Sequence, residues 1–149
     1  MQRAAITTGF FILALAATAA AQENEYQVVD SPFQEEFDFT INSDLEPQVE
    51  IAGVRWVRFG VHVKAGREID YNKANHVTVE LDFLNTNPEG AKVLVIALFE
   101  DANGNPLERV ECAKVNANGD RLKESVQKFK ISGLVLDAIR RVYIFCEVE

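Results

Sequence analysis

Residues 48–64 read QVEIAGVRWVRFGVHVK, and the period of this stretch decides the fold. Val49, Ile51, Val57, Phe59, Val61 and Val63 fall on odd positions, while Glu50, Arg58, His62 and Lys64 fall on even ones. A repeat of two places alternate side chains on opposite faces, so the stretch is read as strand with one face buried. Gly53, beside Val54 and Trp56, disturbs the parity, and a bulge or a break between two strands accounts for it.

The same alternation recurs in both directions along the chain. Phe37, Phe39 and Ile41 share a parity in 34–41, before the breaker run Asn42-Ser43-Asp44. Val77, Val79, Leu81 and Phe83 alternate with Thr78, Glu80 and Asp82 in 76–84. Residues 92–99 are apolar on both parities, which predicts a central strand covered on both sides. The run Asp101-Ala-Asn-Gly-Asn-Pro106 then reads as a tight turn in which Asn-Gly supplies positive φ angles. Its oxygen donors are fewer than a calcium loop needs, so the turn reading is preferred. Further strands are read over 107–115 and 139–148. Residues 121–130 fit helix or strand, with strand favoured from about Ser125. About seven short strands separated by turns predict an all-β, antiparallel, immunoglobulin-like β-sandwich.

The N-terminus has the order of a secretory signal peptide over 1–21: Arg3, then an apolar core containing Phe10, Phe11, Ile12, Leu13 and Leu15, then Ala19-Ala20-Ala21. That core is shorter than the ~20 residues a spanning helix needs, so no stable membrane insertion is expected after cleavage. Residues 22–33 read as an extended polar leader, and 34–149 as a single sandwich domain, secreted or periplasmic. The net charge of −8, without a basic run, makes nucleic acid a poor partner. Cys112 and Cys146 are the only cysteines. In an exported chain they are expected to be bridged, a link worth ~2–4 kcal/mol.

An enzyme should show a nucleophile with its base, a carboxylate pair or a metal cluster. The four serines lie outside any Gly-x-Ser-x-Gly, and the only histidines are His62 and His76. The reading is therefore non-catalytic, with no cofactor and no metal. Candidate ligand-binding residues are Trp56, Arg58, His62 and Tyr71. Arg58 and His62 share the polar face of one strand. Trp56, which by parity points away from the buried face, could join Tyr26, Tyr71 and Tyr143 in a sugar-stacking platform. The leading expectation is an accessory protein that binds another protein. A carbohydrate-binding module is the alternative, and a small hydrolase with an unrecognised site is a third.

Residues 77–115 resemble the bacterial FxLYD-type and related immunoglobulin-like sandwich domains. The shared features are a strand ending in Asn85, a short turn, the pattern Val93-x-Val95-x-Ala97-Leu98-Phe99, then Asp101 and an Asn-Gly turn. Ile96 to Glu100 stands where Phe-x-Leu-Tyr-Asp would be. The resemblance implies an envelope or surface accessory domain without catalytic residues. Tyr143 lies three residues before Cys146 rather than two, so no tyrosine corner is read.

Overall fold

The computed structural model describes residues 25–65 and 67–149, so the signal peptide read over 1–21 lies outside the described residues. Eleven strands and one short helix follow in order: β1 Gln27–Val29, β2 Phe33–Asp38, β3 Ser43–Leu45, β4 Val49–Ile51, β5 Val54–Val63, β6 Ala74–Asn85, β7 Ala91–Glu100, β8 Pro106–Glu111, β9 Val115–Ala117, β10 Arg121–Ser132, α1 Gly133–Ala138 and β11 Arg141–Val148. They form two sheets. The first runs β1-β4-β5-β6-β10, with β3 beside β5, and the second runs β2-β11-β7-β8, with β9 beside β7. All pairings are antiparallel except that of β1 with β4. The chain is thus an all-β, two-sheet protein whose core is the alternate side chains of both inner faces.

The parity break at Gly53 is a two-residue hairpin turn. Ile51 pairs with Val54, and Ala52 and Gly53 between them both have positive φ, 48° and 78°. Mirror-image turns of this kind match the right-handed twist of the strands they join. A second irregularity lies inside β5, where the register with β6 shifts between Trp56 and Arg58. Val57 is the extra residue, and this bulge returns Trp56 to the same side as Phe59, Val61 and Val63. Trp56 is fully buried, its ring 5.4 Å from Phe83 and 6.1 Å from Phe59. Its indole N–H donates to the Arg58 carbonyl at 2.9 Å. The orientation read from parity is therefore reversed.

Other expectations are also corrected. Within the leader read over 22–33, residues 27–29 pair in parallel with β4, and Phe33 is already in the core. The segment 121–130 is strand over its whole length, because β6 offers twelve consecutive partners from Asn85 to Ala74. Gly133 begins a helical turn instead of only ending a strand.

The disulfide is absent. Cys146 pairs with Val95 on one side of β7, and the Cys112 amide donates to the Val95 carbonyl on the other side, at 3.0 Å. The two cysteines therefore stand two strand spacings apart, about 10 Å, whereas a bridge needs Cα atoms within about 4.4–6.8 Å. Both are free, buried thiols, and desolvation pushes each up to about 12.

Candidate functional site

The outer face of the first sheet carries the polar side chains that the alternation assigns to it. Register sets Arg58 opposite Asp82, Gly60 opposite Glu80 and Asp44, and His62 opposite Thr78. Arg58 sits at the centre of a network. Its Nε bonds Asp82 Oδ2 at 2.7 Å, and its Nη1 lies 2.8 Å from Glu80 and 3.5 Å from Asp44. These carboxylates hold the guanidinium above its ordinary pKa, with the Asp82 hydrogen bond as the largest cause. His62 Nε2 stands 2.9 Å from Asp44 Oδ1. The pair passes over Gly60, where a Cβ would run into the Asp44 carboxylate and lie 2.8 Å from His62 Nε2. Glycine is required here because the backbone itself is the floor under the Asp44–His62 hydrogen bond.

Beside this network lies a groove of about 840 Å3 at the β5–β6 end of the sheet, lined by His62, Lys64, Arg67, His76, Glu80 and Lys128 among others. Of the residues singled out in the sequence, the structure brings Arg58 and His62 together at this face. Trp56 is in the core. Tyr71 is 49% exposed in the β5–β6 connection. Tyr143 is on the second sheet, donating to Gln34 at 2.6 Å, and Tyr26 lies under the Arg55 guanidinium, 5.2 Å away. The four aromatics therefore do not form one platform. His76 and Lys128, 52 positions apart, were not legible as partners of His62, because only the β6–β10 register brings them to one face.

A second feature was also missed. β7 is central within its sheet, and among the described residues its inner face is fully buried while its outer face is half-buried. Val93, Val95, Ala97 and Phe99 point into the core, while Leu94, Ile96 and Leu98 point outward. Ile96 is flanked by Phe145 and Leu98 by Tyr143, which joins them into an apolar stripe on the outer surface of the second sheet. The two-sided hydrophobicity of 92–99 is the sequence signal for this stripe, with one parity fully buried and the other half-buried. Around the stripe, Arg109 is paired with Glu111 at 3.0 Å and Arg141 with Glu36 at 2.8 Å, Arg141 also stands opposite Glu100 in the β7–β11 register, and Lys92 and Glu147 complete the border. Burial and the neighbouring Glu36 raise the Glu100 pKa.

The Asp101 turn is closed on itself. The carboxylate accepts from the amides of Asn103 and Asn105 and from the Asn105 side chain, at 2.8–2.9 Å, and these donors lower its pKa. Gly104 supplies the positive φ of 80°. No group of three or more metal-binding side chains occurs among the described residues. No protein-family model matches the chain, and no curated protein shows significant similarity to it.

Proposed function

We propose that this chain is an exported, non-catalytic accessory protein, an immunoglobulin-like sandwich of the FxLYD-related kind, which docks a protein partner on the outer face of its second sheet. The observation that carries the reading is the apolar stripe of Leu94, Ile96, Leu98, Tyr143 and Phe145. Antiparallel sheets ordinarily solvate one face with polar side chains, and a contiguous apolar surface ringed by polar groups marks an interaction site. The chain passes from the second sheet to the first and back between β2 and β7, and again between β9 and β11, which supports a Greek-key, immunoglobulin-like path.

Charge selects the class of partner. The rim of the stripe has a modest acidic excess, with Glu36, Asp38, Glu100, Glu111 and Glu147 against Lys92, Arg109 and Arg141, so its complement is an apolar patch whose border carries more lysine or arginine than acid. A second copy would bring its own acidic rim and a net charge of −8 to the contact. The test is affinity capture from the envelope and secreted fractions with the wild type and with Ile96→Lys, followed by cross-linking to locate the contact. Capture of one protein through a basic-rimmed apolar surface, lost in the variant while far-UV circular dichroism is unchanged, supports the reading. Equal capture by both, or a concentration-dependent homodimer that the variant abolishes, overturns it.

A further inference from the structure

We infer that the groove on the opposite sheet is a second binding site, for a linear acidic glycan carrying carboxylate, phosphate or sulfate groups. The chain is strongly acidic overall, yet this groove gathers Lys64, Arg67 and Lys128 with both histidines of the protein. None of the three cations has an ion-pair partner among the described residues. The one carboxylate in the lining, Glu80, is already engaged by Arg58 at 2.8 Å. Within the lining the cations outnumber the carboxylates, although Glu68 and Asp70 share an adjoining hollow with Lys64 and Arg67, and a concave wall concentrates the positive potential that remains.

The geometry sets the shape of the ligand. Lys128 lies on β10 in register with Thr78 of β6, which is in turn opposite His62 of β5. The strands that border the groove are thus two spacings apart, about 10 Å, so its cationic side chains line both sides of an elongated cleft. A chain with repeated oxyanions satisfies both walls. His76 adds a polar ring for hydroxyl or oxyanion groups between them, while the His62 Nε2 is held by Asp44. The lining contains no tryptophan, tyrosine or phenylalanine. Single-stranded nucleic acid, which is held by base stacking on such rings, therefore fits the groove less well than a sugar acid.

The experiment is calorimetric titration of the full mature chain with dextran sulfate and polygalacturonate oligosaccharides, neutral dextran and an oligothymidylate. Arg67→Glu, Lys128→Glu and Lys123→Glu are compared with the wild type. Lys123 lies on the same strand as Lys128 but outside the groove lining, so its variant matches the change in net charge alone. The expected result is binding of at least one acidic oligosaccharide and not of neutral dextran, weakened by added salt. Arg67→Glu and Lys128→Glu should each lose about tenfold or more in affinity, ~1.4 kcal/mol, and Lys123→Glu less than about twofold. An equal loss in Lys123→Glu, tighter binding of the oligothymidylate, or no binding of any acidic sugar by the wild type overturns the inference. The groove variants should leave partner capture by the second sheet unchanged, so failure at either face is recognised separately.

Discussion

Replacing Arg58 by leucine is the sharpest test of the energetics on the first sheet. The substitution keeps the aliphatic volume of the side-chain stem but deletes the guanidinium that faces Asp44, Glu80 and Asp82. Asp82 bears most of the consequence. It is only 7% exposed, its Oδ2 accepts from Arg58 Nε, and its Oδ1 is buried without a hydrogen-bond partner. Removing one member of a fully buried pair costs about 3–5 kcal/mol. The Arg58 side chain is 32% exposed, so water recovers part of this. We expect a loss of roughly 2–3 kcal/mol, which for a domain of this size lowers Tm by on the order of 10 °C. The assay is urea unfolding of wild type, Arg58→Leu, Asp82→Leu and the double variant. The double variant should regain at least about 1 kcal/mol relative to the sum of the singles, because no buried charge is then left unpaired. A loss below about 0.5 kcal/mol in Arg58→Leu, the range of an exposed ion pair, would refute the argument.

Three further outcomes are expected. Cys112 and Cys146, whose thiols burial raises to about 12, should resist thiol reagents in the native state and titrate as two free thiols on denaturation, with Tm indifferent to reductant. Glu100→Gln should stabilise the protein at neutral pH by up to about 1 kcal/mol. The sign follows from a folded pKa above the unfolded one: the native state favours the protonated carboxyl, so the wild type loses stability as pH rises through that window, and the variant's advantage vanishes below it. Chemical unfolding at a series of pH values measures this, and an advantage that persists at low pH contradicts it. Trp56→Ala should cost about 3–5 kcal/mol through the cavity it leaves, yet a folded Trp56→Phe should bind acidic oligosaccharides as the wild type does, because the indole does not reach the surface.

Period-two patterning carried most of the fold. It located β2, the β4–β5 pair, β6 and β11, because each has one inner face whose apolar residues cannot be moved by one position without exposing them, whereas β7 was legible only as a run apolar on both parities. It failed where a backbone irregularity resets parity. The extra residue at Val57 turned Trp56 from an apparent surface aromatic into the largest core side chain. It failed also where a strand owes its existence to a distant partner. Leu122, Val126 and Phe129 are spaced as in a helix, but the ladder with β6 outweighs that local preference. The thiols show a third limit. Alternation placed both cysteines on an inner face, but only the lateral order of strands reveals β7 between them. The groove depends on the same information. Arg58 and His62 were legible as neighbours on one strand, whereas His76 and Lys128 reach them only through register.

The position of β11 determines when this chain can fold. Residues 141–148 lie between β2 and β7, and β2 has no other strand beside it. The pairing of Phe33 with Cys146 or Phe37 with Val142 spans more than two-thirds of the chain. Neither the second sheet nor the core it closes is complete until residues 141–148 are seated between β2 and β7. Loop closure on that scale is entropically costly and slow. The second sheet is therefore the slow half of the molecule to form, whereas neighbours in sequence such as β4–β5 and β5–β6 can pair without waiting for it.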